Sequence, residues 1–162
     1  MSLSLPITDR KIRFALVGCG RISKNHIEAL AKHGERAEWV AVCDTRPDAL
    51  QAAVAASGAP GFASLDALLA VAAPDIVVLA TPSGLHPQQA IAVARTGRHV
   101  LSGMPMATKL DEGIAMGRAC RDAGDKLYVV KQNRLNSTVQ WVKQAIAEGR
   151  FGRIFLSTVN VF

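Results

Sequence analysis

The sequence predicts a doubly wound α/β domain, in which a mostly parallel sheet is covered by helices on both faces. Apolar runs that do not alternate with polar residues are typical of strands buried on both sides. Each run is followed by a segment whose apolar residues have helical spacing, as in repeated strand-helix units. The connecting loops are short, and the sequence has no internal repeat or low-complexity stretch, so a single domain is expected.

The first four elements alternate between strand and helix. Residues 11–18 (KIRFALVG) are a short apolar run that ends in glycine, and residues 21–34 have helical spacing with Gly34 as the stop. Residues 39–43 (WVAVC) form a second buried run, and Pro47 then marks the first turn of a helix. The beginning of the chain is therefore strand, helix, strand, helix.

The middle of the chain repeats this alternation. Ser64 is expected to cap a short helix that continues to Leu69. Residues 75–80 (DIVVLA) are strongly β-branched and predict a strand. Residues 84–95 return to helical spacing, and residues 99–101 form a further short strand.

Two helices with capping-box patterns close the domain. Thr108 with Asp111 predicts the start of a helix that continues to about residue 123, and residues 127–130 (LYVV) form the next strand. Ser137 with Gln140 resembles a second capping box, for a last helix that ends at residue 149.

The C-terminal segment differs from the rest. Residues 153–162 (RIFLSTVNVF) alternate as a long strand does, and the chain stops there without a turn or a pairing partner. The sequence therefore predicts a single domain with a trailing strand. The expected divisions are an N-terminal arm, a dinucleotide-binding domain and the start of a further domain, at residues 1–10, 11–150 and 151–162.

The composition argues against several classes of protein. The 19 basic residues exceed the 13 acidic ones, but they are scattered, and aromatic residues make up only 5%, so no nucleic-acid partner is expected. The apolar runs are far shorter than the ~20 residues of a membrane span, so no membrane partner is expected. Residues 1–10 lack a secretion signal, which predicts a cytoplasmic protein. The three cysteines form no Cys-x-x-Cys pair, so reduced thiols and no metal site are expected.

A glycine-rich turn connects the first strand to the first helix. Gly18 permits the tight turn, and Gly20 lets a pyrophosphate approach the backbone. Arg21 and Ile22 open the helix, whose free N–H groups and partial positive charge favour phosphate. Ser23 occupies the third position, where a small residue is needed. In this strand-turn-helix context the pattern predicts a Rossmann-type dinucleotide site.

An acidic residue completes this site. Asp44 lies 21 residues beyond Ser23, at the end of the second strand, where its carboxylate can accept hydrogen bonds from both ribose hydroxyls. Because a carboxylate repels a 2′-phosphate, NAD is the expected cofactor, although Arg46 could soften that preference. The plain alternative is that the glycines only form a turn and that Asp44 only ends a strand.

Several short segments together resemble a known family. They are GCGRI at 18–22, CD at 43–44, ATPS at 80–83 with His86, GRHVL at 97–101 and PMA at 105–107. From about residue 10 to its end, the chain resembles the N-terminal half of the Gfo/Idh/MocA oxidoreductases, the glucose-fructose oxidoreductase and inositol dehydrogenase family. The resemblance implies that Thr81, Ser83 and His86 contact the cofactor.

A narrower resemblance concerns the substrate. The segment KQNRLN at residues 131–136 resembles members that oxidise nucleotide-linked sugars, notably the UDP-N-acetylglucosaminuronate 3-dehydrogenases. This resemblance implies a nucleotide-sugar as a partner besides the dinucleotide.

The chain departs from that family in two ways. Family members usually carry Glu-Lys-Pro after the fifth strand, with the lysine beside the substrate hydroxyl, whereas this sequence has Gly103-Met104-Pro105. A thioether has no proton to exchange, and loss of a general acid or base lowers the rate by roughly 10²- to 10⁴-fold. The sequence is also expected to lack the C-terminal substrate domain of the family. No residue of the chain is therefore expected to be catalytic, as in a truncated or engineered dinucleotide-binding domain.

Three functions remain as alternatives. The first is an NAD-binding module of a sugar oxidoreductase with little or no turnover of its own. The second is an active NAD-dependent oxidoreductase completed by another chain. The third is an interaction scaffold, natural or engineered, that forms a homodimer through residues 153–162, because an unpaired strand exposes backbone groups that invite pairing.

Overall fold

The computed structural model of the chain describes residues 7–158. The strands are β1 (Ile12–Val17), β2 (Ala37–Cys43), β3 (Gly61–Phe62), β4 (Ile76–Leu79), β5 (His99–Ser102) and β6 (Leu127–Val129). The helices are α1 (Ser23–Ala31), α2 (Pro47–Ser57), α3 (Leu65–Val71), α4 (His86–Ala94), α5 (Leu110–Asp122) and α6 (Ser137–Ala147). Two short 3-10 turns cover Ser83–Leu85 and Gln132–Leu135.

The six strands form one sheet in the order β3-β2-β1-β4-β5-β6, and every pair of neighbours is parallel. The chain moves outward from β1 to β3, returns to place β4 beside β1, and continues outward in the other direction. The predicted doubly wound parallel sheet is therefore confirmed. The order reverses between β1 and β4, which is where open α/β sheets bind their ligands.

The sheet is buried on both faces, as its apolar strands predict. Ala15 and Val17 of β1 belong to one core cluster, together with Val77 and Leu79 of β4. Leu16, between them, belongs to the cluster on the other face. Because successive side chains of a strand point to opposite faces, both faces need apolar residues and the sequence cannot alternate.

The residues form two compact units, one up to Val130 with the whole sheet and α1 to α5, and one from Lys131 with α6. The boundary between the two units follows Val130, and the predicted division at residue 150 stays a prediction. In the part of the chain that the structure describes, no helix has both the length and the apolar character that crossing a bilayer would require.

The strand β3 was not anticipated from the sequence. It has only two residues, Gly61 and Phe62, which pair with Val42 and Cys43 of β2. Two residues are too few for any periodic pattern to be recognised. A Cβ on Gly61 would lie 2.8 Å from Cγ2 of Val54 on α2, so this strand can lie against that helix because it begins with glycine.

One of the predicted caps is confirmed. The hydroxyl of Ser64 accepts a hydrogen bond of 3.2 Å from the N–H of Ala67 at the start of α3. The predicted Thr108 capping box is wrong, because α5 is preceded by Lys109 in an extended conformation and has no side-chain cap.

The cap predicted at Ser137 is also wrong, because Asn136 takes that position. The Asn136 side chain accepts a hydrogen bond of 3.0 Å from the N–H of Thr138. Asn is as good a cap as Ser, so two neighbouring cap residues leave the start of a helix ambiguous in the sequence.

The predicted strand at the C-terminus is not confirmed. Residues 153–158 are exposed and irregular, and residues 159–162 lie outside the described part of the chain. A strand needs partners for its backbone N–H and C=O groups, and no strand of the described residues pairs with this segment. Alternating side chains alone therefore do not produce a strand here.

Candidate functional site

A cleft of about 410 Å³ opens at the carboxyl ends of β1, β2 and β4. Gly18 and Gly20 from the turn after β1 contribute to its lining, as do Asp44 after β2 and Thr81 after β4. The sheet topology brings these residues together at the point where the strand order reverses. Four of the residues predicted from the sequence therefore share one site.

Gly18 is needed because β4 ends against it. Its φ is +92°, and a Cβ at this position would lie 2.6 Å from the backbone N of Thr81 and 2.8 Å from the carbonyl oxygen of Ala80. Any side chain would therefore collide with the backbone of the neighbouring strand end. The Gly18 N–H also donates to the Cys43 carbonyl oxygen at 2.8 Å, which ties the turn to β2.

Gly20, unlike Gly18, has open space where a side chain would be. No atom lies within 4 Å of a Cβ placed on it, so the backbone is open to the cleft. The N–H groups of Gly20, Arg21 and Ile22 donate no hydrogen bond within the described residues. Free donors at a turn that leads into a helix suit a phosphate group. The side chains of Arg21 and Ile22 are exposed and do not line the cleft.

Ser23, the first residue of α1, binds back to the glycine turn. It is buried, and its hydroxyl donates to the carbonyl oxygen of Gly20 at 2.5 Å. The hydroxyl therefore has a partner, and the small side chain fits where α1 begins.

The Asp44 carboxylate holds the turn in place. Its Oδ2 accepts a hydrogen bond of 2.7 Å from the N–H of Cys19, and its Oδ1 accepts one of 2.8 Å from the N–H of Arg46. The sequence pattern predicts a ribose contact for Asp44 but not this hydrogen bond to the turn after β1. Each oxygen retains capacity to accept a further hydrogen bond.

The Arg46 guanidinium is paired with a different carboxylate. Its Nη2 lies 2.8 Å from Oδ2 of Asp48, and both side chains are largely exposed. The positive charge that could have softened the repulsion of a 2′-phosphate is thus partly neutralised. The Asp44 carboxylate therefore makes this part of the cleft acidic.

The two cysteines beside the turn are inert thiols. Cys19 and Cys43 are both buried and free. Burial, followed by the nearby charge of Asp44, raises the pKa of each to about 11. Both are therefore protonated near neutral pH and do not act as nucleophiles.

A side-chain pair that the sequence analysis missed lies on the β4 side of the cleft. The hydroxyl of Thr81 donates to Oε1 of Gln89 at 2.6 Å, and both residues line the cleft. Gln89 lies one helical turn after the start of α4, which is the signal that could have identified it. Ser83, in the 3-10 turn before α4, is not among the residues lining the cleft.

His86 lies behind the cleft rather than in its wall. Only 2% of its surface is exposed. Its Nε2 lies 2.8 Å from the carbonyl oxygen of Thr81, and its Nδ1 lies 3.1 Å from that of Pro105. Both ring nitrogens therefore face protein groups, and a direct contact of His86 with a cofactor stays a prediction.

The turn after β5 carries Gly103, Met104 and Pro105. The N–H of Gly103 donates to the carbonyl oxygen of Leu79 at 3.0 Å, and the peptide bond between Met104 and Pro105 is cis.

Among the described residues, no group of three or more His, Cys, Asp or Glu side chains could hold a metal ion.

Comparisons with known proteins agree with this architecture. Residues 12–131 match the model of the Gfo/Idh/MocA family, which is described as an oxidoreductase family with an NAD-binding Rossmann fold. An inositol 2-dehydrogenase of Rhizobium meliloti is 32% identical over 92% of this chain and 44% of its own length.

Two solved structures are more similar. The WlbA dehydrogenase of Chromobacterium violaceum, in complex with NADH and UDP-GlcNAcA, has a TM-score of 0.91 and 55% identity, covering 96% of this chain and 45% of the other. The corresponding complex from Bordetella pertussis has a TM-score of 0.88 and 65% identity, covering 93% of this chain and 43% of the other.

The chain thus spans less than half the length of these relatives. The family match covers the sheet, the glycine turn and Asp44. On this evidence the chain belongs to the Gfo/Idh/MocA oxidoreductase family, and residues 12–131 are its NAD-binding Rossmann-fold domain.

Proposed function

We propose that NAD binds in the cleft at the carboxyl ends of β1, β2 and β4, and that the chain is the cofactor-binding part of a nucleotide-sugar oxidoreductase. The observation that carries the proposal is the set of unbonded N–H groups at Gly20, Arg21 and Ile22 beside the Asp44 carboxylate. These donors suit the pyrophosphate, and the carboxylate suits the adenosine ribose.

The residues present fit NAD better than NADP. Asp44 accepts one backbone N–H on each oxygen and can still accept from ribose hydroxyls. A 2′-phosphate would bring negative charge next to that carboxylate, while the guanidinium of Arg46 is paired with Asp48. Thr81 and Gln89 supply polar groups on the other side of the cleft.

NAD, when bound, supplies a hydride acceptor, and the chain's own residues bind and orient it. The proposed substrate class is a UDP-linked sugar acid. It is supported by the 55% and 65% identity to two dehydrogenases whose complexes contain UDP-GlcNAcA.

We further propose that the chain has little or no dehydrogenase activity as it stands. The resemblance to the family implies a lysine at the position of Met104, and no proton can leave or join a thioether. Absence of a general acid or base lowers a rate by roughly 10²- to 10⁴-fold.

Calorimetric titration with NAD tests binding. The native chain is expected to bind NAD, and Asp44→Ala to bind it at least tenfold more weakly. Asp122→Ala is the matched control, because Asp122 is an exposed acid at the end of α5. Thermal melting of each variant separates loss of the ribose contact from loosening of the turn at Cys19. Equal affinities of the native chain and Asp44→Ala would remove the basis of the proposal.

Absorbance of NADH, measured with NAD and UDP-GlcNAcA, tests turnover. The native chain is expected to be silent or at least 100-fold slower than Met104→Lys. Turnover by the native chain at the same rate as Met104→Lys would show that Met104 is no obstacle. If both proteins are silent until an additional chain is supplied, the alternative of an oxidoreductase completed by a partner gains support.

Self-association is a second candidate role, favoured by exposed apolar residues near the C-terminus. Phe155 and Leu156 are 82% and 86% exposed. We propose that a homodimer through residues 153–162 would cover them. Light scattering of the native chain and of a Phe155→Ser, Leu156→Ser double variant tests it. A monomeric mass for both would contradict this role.

A further inference from the structure

His86, the first residue of α4, is the most completely buried of the imidazole side chains in the first compact unit. Only 2% of its surface is exposed, and its neighbour Pro87 is buried with it. The ring lies between two loops, with Nε2 at 2.8 Å from the Thr81 carbonyl oxygen and Nδ1 at 3.1 Å from the Pro105 carbonyl oxygen. It thus joins the segment after β4 to the segment after β5.

The space for this ring depends on Gly103. A Cβ on Gly103 would lie 3.2 Å from Cε1 of His86 and 3.3 Å from the carbonyl oxygen of Leu79. Leu79 is in a strand, and the buried ring has a backbone carbonyl oxygen close to each nitrogen, so both groups have little room to move. A methyl group at position 103 would therefore require the ring or the end of β4 to shift by a few tenths of an ångström.

We propose that His86 is a positioning residue: it fixes the separation of the loops after β4 and β5 and thereby shapes the end of the cleft that takes the nicotinamide half of the cofactor. This rests on the proposed function. Asp44, after β2, takes the adenosine ribose, and the turn after β1 takes the pyrophosphate. The remaining half of the dinucleotide must then extend towards β4 and β5. Thr81, whose carbonyl His86 holds, lines the cleft on that side.

The two contacts of the ring can be separated by substitution. Both partners are carbonyl oxygens and accept only, and a neutral imidazole donates through one nitrogen at a time. Asn places an amide donor near the position of Nδ1, towards Pro105, and Gln places one near the position of Nε2, towards Thr81. Restored binding in one of these variants would identify the contact that matters for the cofactor.

The test compares NAD with ADP, which lacks the nicotinamide riboside. Calorimetric affinities are measured for the native chain, His86→Ala, His86→Asn and His86→Gln, with His33→Ala as the control for an exposed histidine. His86→Ala is expected to weaken NAD about tenfold and to leave ADP within twofold, and either Asn or Gln is expected to recover most of the loss. Unchanged NAD affinity in His86→Ala, or equal weakening of NAD and ADP, would overturn the proposal.

Gly103→Ala provides a second test that keeps His86 itself, with Gly117→Ala as the control because no atom lies within 4 Å of a Cβ there. Gly103→Ala is expected to reproduce the selective loss of NAD affinity, and Gly117→Ala to leave it unchanged. If His86→Ala does not fold, Gly103→Ala and the Asn and Gln variants decide the question.

The failure of this inference is distinguishable from that of the proposed function. If the native chain binds no NAD, the proposed function fails. In that case NMR of the chain without ligand still tests whether His86 forms a hydrogen bond to a loop carbonyl oxygen. A ring N–H resonance of His86 protected from exchange, and shifted in Gly103→Ala but not in Gly117→Ala, is expected. A rapidly exchanging ring N–H in the native chain would refute the contact itself.

Discussion

Replacing Gly18 by alanine probes the close approach on which the cleft depends. The added Cβ would lie 2.6 Å from the backbone N of Thr81, 2.7 Å from the carbonyl carbon of Ala80 and 2.8 Å from its oxygen. All three atoms belong to the backbone, so no rotation of a side chain relieves the collision. The end of β4 must move, or β1 must lose its pairing there.

The expected loss of stability in Gly18→Ala has two parts. A non-glycine residue at the positive φ of +92° is strained by roughly 1 to 2 kcal/mol. Overpacking of a close-packed interior destabilises by about 1 to 3 kcal/mol. Gly18→Ala is therefore expected to lower the free energy of unfolding by about 2 to 5 kcal/mol. For a chain of this size that lowers the melting temperature by roughly 4 to 20 °C.

Urea and thermal unfolding measure this effect against two matched glycines. Gly58 has a φ of +71° but no atom within 4 Å of its Cβ position, so Gly58→Ala isolates the backbone strain. Gly20→Ala has neither the strain nor the collision and is expected to leave the unfolding free energy within about 0.5 kcal/mol. It should nevertheless weaken NAD binding, because the new methyl group occupies the open approach to the turn.

Equal stability of Gly18→Ala and Gly58→Ala would refute the collision between position 18 and the end of β4. That result would mean that β4 accommodates the added Cβ without loss, and that Gly18 serves only its own turn. Loss of stability in Gly20→Ala would contradict the assignment of its open side to the cofactor.

Two further predictions concern side-chain hydrogen bonds that stabilise the fold. Hydrogen bonding to Arg10 holds the pKa of Asp75 below its ordinary value, and the N–H of Arg13 acts in the same direction. This contribution is present above about pH 4 and is lost as the pH falls through the lowered pKa. Because Arg10 is 46% exposed, Asp75→Asn should reduce the unfolding free energy at pH 7 by no more than about 1 kcal/mol. Ser64→Ala should remove the cap of α3 and destabilise by about 1 kcal/mol, whereas Thr108→Ala should have little effect.

The measurements for both are urea titrations with matched variants. Asp122→Asn serves as the control for Asp75→Asn, and the difference between native chain and Asp75→Asn should shrink between pH 7 and pH 3. A difference that is constant over that range would contradict the ion-pair explanation. Equal destabilisation by Ser64→Ala and Thr108→Ala would contradict the assignment of the caps.

Much of the fold was predictable because it depends on local patterns. The non-alternating runs at β1, β2 and β4 require burial on both faces, and that requirement already selects a parallel sheet between helices. The glycine turn and Asp44 were recognisable because the motif keeps fixed distances along the chain. The family prediction is confirmed, whereas the absence of turnover, the cytoplasmic location and the self-association stay predictions.

Errors arose where several local solutions were equally good. Asn136 and Ser137 are both competent caps, and only the backbone geometry selects Asn136. The segment 153–158 has alternating side chains, but in the described part of the chain it is irregular and not a strand. The pattern of neighbouring residues shows where a cap or a strand can form, but the tertiary structure decides whether it does.

The sequence by itself determined the alternation of strands and helices, the parallel sheet and the position of the dinucleotide turn. Only the tertiary structure decided how the site is held: Asp44 bonds to the N–H of Cys19, 25 residues away, and His86 reaches Pro105, 19 residues away. These contacts join loops from different strands, and their distances follow from how the sheet twists and packs. No pattern of neighbouring residues encodes that separation, because it is a property of the assembled core.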